Sequence, residues 1–211
     1  MENFAEAGKG LRVPGWFSAI LILGVLGFAL YVSIPSNVHS RIPGNEMSAM
    51  GSLKRLVTTE ALWQQNDMDG NGKQDCWAID VAGLGRAPGH PEPIPRELAA
   101  ADRCPDRTAG AVPSSPAPCR GYFFEALIND ENGKPYAAEA DKDGKTRMNV
   151  KKFGFRATPE KYGETGFMTY QVNEEGVIYA KDLGHGAEAN PPRASWEGGA
   201  DPTKSGWRVE E

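Results

Sequence analysis

The sequence has no Cys-x-x-Cys pair, no Cys-x-x-Cys-His haem site, no His-Glu-x-x-His helix, no Gly-x-Ser-x-Gly elbow and no phosphate-cradling glycine loop. Each absence removes a chemistry: dithiol redox, covalent haem, zinc-dependent hydrolysis, serine hydrolysis and nucleotide binding in turn. Histidines are few, and His39, His90 and His185 stand far apart in irregular contexts. Neighbouring carboxylates such as Glu174-Glu175 and Asp141 with Asp143 fall in turns, where a solvated face is expected rather than acid/base work. The chain is therefore read as non-enzymatic. Basic runs are missing as well: none is longer than Lys54-Arg55 or Lys151-Lys152, and the net charge is -5. Without a positive stripe there is no electrostatic footprint for nucleic acid. Three cysteines allow one disulfide with one thiol left over.

What is present begins with a run free of charge, Trp16 to Ile34, WFSAILILGVLGFALYVSI. As a helix it spans about 28 Å at 1.5 Å per residue, close to the ~30 Å hydrocarbon core of a bilayer. It ends in bulky Tyr31-Val32-Ser33-Ile34 and Pro35 rather than in a small-residue cleavage site, so it is expected to be retained as a transmembrane helix over residues 13–36. Lys9 and Arg12 precede it and Arg41 follows, a slight bias that sets residues 1–12 as a cytoplasmic tail and the rest outside. The expected localisation is a single pass in the inner membrane, with the C-terminal domain periplasmic or extracellular. Pro35 and Pro43 should kink or fray any helix that crosses them.

Residues 37–66 are rich in helix formers, with Met50, Leu53, Val57 and Ala61 spaced as one face, which predicts an amphipathic helix continuing the stalk. The remaining residues, 67–211, are expected to form one β-rich domain. Its first segment is Asp67-x-Asp69-x-Asn71-Gly72-x-x-Asp75. Oxygen ligands at alternate positions with glycine at the sixth match the start of a Ca2+ loop, with Lys73 offering its carbonyl. The twelfth position is Ala78, so the bidentate glutamate is missing, and a solvated turn stands as the alternative. Cys76-Trp77-Ala78-Ile79-Asp80-Val81 alternates like an edge strand.

Prolines then dominate residues 85–120, predicting a long irregular loop with a helical turn at Arg96 to Asp102. Cys104 and Cys119 flank its most Pro/Ser-rich part. A disulfide between them would close a loop of about 15 residues, worth roughly 3 kcal/mol in the chain-entropy account, with Cys76 left over and three reduced thiols as the alternative. Beyond the loop the pattern is a β-meander: Gly121 to Ile128, Lys151 to Ala157 with Phe153 and Phe155 on one face, and a hairpin of Phe167–Val172 and Val177–Ala180 joined by Asn173-Glu174-Glu175-Gly176. Asp130-Glu131-Asn132-Gly133 and Asp141-Lys142-Asp143-Gly144 are turns. The last segment, 185–211, is irregular, with Trp196 and Trp207 expected to anchor it to the sheet.

Ile34-Pro35, Arg41-Ile42, Asn45-Glu46, Ser48-Ala49 and Gly51-Ser52-Leu53, placed directly after an apolar run, resemble the N-terminal helix of type IV pilin-like proteins and type II secretion pseudopilins. Phe153-Gly154-Phe155, Tyr162-Gly163, Thr169, Val172-Asn173, Gly176-Val177-Ile178-Tyr179 and Lys181-Asp182-Leu183 are similar to the C-terminal sheets of pilin-like proteins. The resemblance implies an α+β fold, a long N-terminal helix on a small antiparallel sheet, and association with other pilin-like subunits. Prepilins are cut after a glycine and carry a glutamate five residues on. Aligned on Ile34-Pro35, Val13 and Ser18 hold those places; aligned on Gly15, Ile20 holds the second. The chain is expected to keep Met1. Two functions follow as expectations: a structural subunit of a pilus-like or pseudopilus-like assembly, or an uncleaved membrane-tethered binding module with a calcium-stabilised loop.

Overall fold

In a computed structural model of the chain, residues 15–86, 92–105, 115–137, 151–186 and 194–210 are described, without the side chains of 15–21 and 24–39. The expected tail 1–12, the turn Asp141–Gly144 and His90 lie outside the described residues. Two compact units are present, residues 1–38 and residues 39–211. Helix α1 is a 52-residue run, Gly15–Asn66, and it continues through Pro35 and Pro43. In the first unit Ile22 and Leu23 are exposed.

Among the described residues, no helix is long and apolar enough to cross a membrane. This corrects the expected transmembrane, single-pass helix, and with it the fold class in which such a helix packs on the sheet. The part of α1 in the second unit could not serve as a span either. Residues 40–66 carry Arg41, Glu46, Lys54, Arg55 and Glu60 and are apolar along one stripe only, so hydrocarbon on all sides would strand several charges.

That stripe is Ile42, Ala49, Leu53, Leu56, Glu60 and Trp63, all buried at alternating intervals of three and four beyond Ala49. It is turned from the face expected at Met50, Leu53, Val57 and Ala61: Leu53 is shared, Met50 and Val57 are half-buried at the margin, and Ala61 is exposed. Leu56 and Trp63 bring more apolar area than Val57 and Ala61, so burying them wins. Residues 40–66 of α1 lie against a five-stranded antiparallel meander, β1 (Tyr122–Ala126), β2 (Gly154–Pro159), β3 (Met168–Asn173), β4 (Ile178–Asp182) and β5 (Arg208–Glu210), hydrogen-bonded in chain order. Asn45 Nδ2 donates to the Thr165 carbonyl at 2.9 Å, and Glu46 accepts from the Phe167 and Met168 N–H groups at 2.9 and 3.2 Å. The sheet supplies Tyr122, Phe124, Phe155, Ala157, Tyr170, Val172, Ile178 and Ala180 to the same core.

Short helices α2 (Val81–Leu84) and α3 (Arg96–Ala100) close the end of that core, and the expected strand at Cys76–Val81 does not form. Its alternation is real but is spent on α1 and α2. Trp77 N–H is taken by Glu60, and Asp80 caps α2 by accepting from Gly83 N–H at 2.7 Å. The loop expected at 85–120 is tied in by α3 and by a parallel bridge between Asp102 and Phe124.

The other sheet face is polar yet buried. Glu125, Arg156 and Gln171 stand side by side across β1, β2 and β3, and Thr158 lies on the same face of β2 with Thr169 on that of β3. The C-terminal segment covers this face: Arg156 donates to the Ser195 carbonyl and to Glu197, while Gln171 exchanges two bonds with the Glu197 backbone. Trp196 packs edge-on against Tyr179, and the Trp207 ring lies 6.0 Å from both the Arg156 guanidinium and the Lys181 ammonium. Both tryptophans are buried, which ties the segment down.

Candidate functional site

The Asp67–Asp75 loop follows α1 directly. Asp67 takes a left-handed backbone with φ 47°, and Gly70 and Gly72 follow it at 67° and 78°. Asp67 Oδ1 and Asp69 Oδ1 both accept from Asn71 N–H, and Asp67 Oδ2 accepts from Gly72 N–H at 2.9 Å. The Asn71 amide nitrogen is 2.7 Å from Asp69 Oδ2 and 3.4 Å from each Asp75 oxygen. Three of the sequence-predicted ligands are thus drawn around a fourth, and the Lys73 N–H donates to the Asn71 side-chain oxygen at 2.7 Å. Burial, the Asp67 side chain and the charges of Asp75 and Asp67 push the Asp69 carboxyl above its usual range. Among the described residues no group of three or more His, Cys, Asp or Glu side chains is arranged to hold a metal.

No disulfide joins Cys104 to Cys119 in this structure. Their backbones are tied in locally: Cys104 N–H donates to Asp102 Oδ1 at 2.8 Å, and the Cys119 backbone exchanges both bonds with Tyr122. Cys76 is buried beside α1. Burial and the charges of Glu60, Asp75 and Glu174 push its thiol up to about 12, so it is inert at neutral pH.

The described surface opens into a groove of about 710 Å³ on the side of α1 that carries Ser48, Gly51, Ser52 and Arg55. Its other walls come from α3, through Glu97 and Leu98, and from the turn ahead of β1, through Cys119 and Arg120. That turn is a two-residue hairpin connection. Arg120 and Gly121 have φ of 49° and 78°, the paired left-handed geometry that matches strand twist, while Cys119 and Tyr122 bond across it. Gly121 is fixed for a second reason, since a Cβ there would meet Thr165 at 2.9 Å. Neither Arg55 nor Arg120 forms an ion pair among the described residues. The sequence reading missed this site because its two guanidiniums lie 65 positions apart (120 minus 55) and share no motif. A basic residue directly before glycine at a strand start was the one local cue.

Two further charged groups sit where a sequence pattern anticipates apolar ones. Glu60 lies on the buried stripe of α1 with one oxygen bonded to Trp77 N–H and the other without a partner among the described residues. Arg156 is 1% exposed on β2. Neither lines the groove.

An α+β chain with one long helix along a five-stranded meander sheet is what these observations define. A family model described as "Protein of unknown function (DUF2950)" matches residues 32–205, and the chain belongs to that family. No curated protein and no solved structure matches it.

Proposed function

We propose that this chain is a structural, non-enzymatic subunit of a type IV pilus-like or type II secretion pseudopilus-like assembly. The observation that carries the reading is the division of labour along α1. In residues 40–66 one stripe packs into the meander core, while Met47 and Leu62 on the rest of the helix are 70% and 44% exposed. Isolated apolar side chains on a surface are ordinary, but here they share a helix with the unbroken apolar run Trp16–Ile34. Such a helix gains stability when copies cover the apolar side chains it leaves open.

A photo-crosslinker placed at Met47 or at Leu62 in the full chain tests this in the source cell. Adducts to a second copy, or to another pilin-like chain, support the reading. A chain that yields only uncrosslinked monomer at both positions refutes it. A second reading, a binding module with a calcium-stabilised loop, draws on one observation: oxygens of Asp69 and Asp75 converge on the Asn71 amide.

A further inference from the structure

We propose that the groove between α1 and α3 docks an acidic polypeptide segment, whose carboxylates are met by Arg55 of α1 and Arg120 of the turn before β1. The inference deepens the subunit reading, and rests on it only for the identity of the neighbour that supplies the segment.

Charge is the first argument. The chain as a whole carries -5, yet the groove is lined by two guanidiniums against the single carboxylate of Glu97. Those guanidiniums have no ion-pair partner among the described residues, so their fork-shaped donors are available to carboxylates, which they grip bidentately. Size is the second. At about 710 Å³ the groove is far larger than a lone anion needs and suits several residues of peptide. Its α1 wall is the third: Gly51 has nothing within 4 Å of where a Cβ would stand, so a partner backbone can come close, with the Ser48 and Ser52 hydroxyls beside it.

Backbone strain at Arg120 completes the case. Its φ of 49° is a left-handed conformation that an ordinary residue adopts at a cost and that asparagine or glycine would adopt more easily. An arginine held there at a cost to stability is explained by what its guanidinium meets. Arg120→Asn therefore separates the two roles, since it removes the charge while favouring the turn.

Fluorescence anisotropy of a labelled hexaglutamate peptide titrated with the full chain at low salt provides the test. Saturable binding is expected, weakened about tenfold by either Arg55→Gln or Arg120→Asn and weakened again by added salt. The melting temperature of Arg120→Asn should equal or exceed that of the parent. Equal affinity in both variants overturns the proposal, as does absence of binding or complete displacement by equimolar inorganic phosphate, which would assign the groove to a free anion. Peptide binding by a chain that never crosslinks to a neighbour leaves the groove standing and refutes the subunit reading. Crosslinks to a neighbour without peptide binding do the reverse.

Discussion

Glu60 of α1 accepts a hydrogen bond from the backbone N–H of Trp77 at 2.9 Å while its carboxyl is shut off from solvent. Burial pushes that carboxyl well above its ordinary value, with the Trp77 bond opposing, and burial likewise pushes Asp102 up to about 6 against bonds from Ala82 and Cys104 N–H. The folded chain thus keeps protons that the unfolded chain has released. A raised carboxyl stabilises fully below its unfolded value, and that contribution is lost as pH rises through its folded value. Thermal melts should therefore show stability falling from about pH 3.8 to about 6 through Asp102. The Glu60 contribution falls over a range that starts near 4.5 and extends higher. Glu60→Gln, which keeps an acceptor for Trp77, should flatten the upper part of that slope. An unchanged slope would show that Glu60 ionises freely in the native state.

Arg156 and Glu197 couple the sheet to its C-terminal cover at 2.9 Å. Glu197→Ala leaves a buried guanidinium with fewer partners and should cost about 1–3 kcal/mol in urea denaturation. The same change at exposed Glu164, whose pair with Lys161 is on the surface, should stay within about 0.5 kcal/mol. Equal costs would mean that the C-terminal segment does not depend on this pair.

Two glycines should respond in opposite directions. A Cβ at Gly166 would stand 2.1 Å from the hydroxyl of Tyr122, a wholly buried ring whose O–H donates to the Met168 carbonyl. Gly166→Ala is predicted to destabilise by about 2 kcal/mol or more, because ring and strand must both move. Gly44 lies inside α1 with open space around it, so Gly44→Ala should stabilise by about 0.5–1 kcal/mol through helix propensity alone. Chemical denaturation of the two variants checks the pair.

Much of the meander was legible because its signals are local. The β3–β4 hairpin stands where alternation and the turn at Gly176, φ 75°, place it, and Arg96–Ala100 is helical as its composition suggests. Strand β5 was not legible, since three residues carry too little alternation to register. The rotated stripe on α1 was missed because periodicity fixes a face only to within about one residue, and the mass of Trp63 decided it. Cys76–Val81 failed for a different reason: its alternation records burial, and side chains 17 positions away (77 minus 60) captured the backbone donor that a strand would have used. The groove was invisible for the same cause on a longer scale. Its arginines are brought together only when α1 packs beside the turn at Arg120.

The loop from Asp67 to Asp75 gives a prediction of its own. Carboxylates that raise one another's affinity for protons would also attract a divalent cation, and the second reading predicts Ca2+ binding in the weak range of extracellular modules, about 10⁻⁴–10⁻³ M. Ca2+ at ten times its dissociation constant should add about 1.4 kcal/mol to stability, an increment that Asp69→Ala removes. Identical melts in calcium and in chelator would show that the Asn71 bonds alone hold the loop.

Electron microscopy of sheared surface material, with gold-labelled antibody against residues 39–211, tests the subunit reading most directly. The account predicts gold along filaments, and their loss when the gene is deleted. Label found only on dispersed single chains, with filaments unmarked or absent, would contradict it.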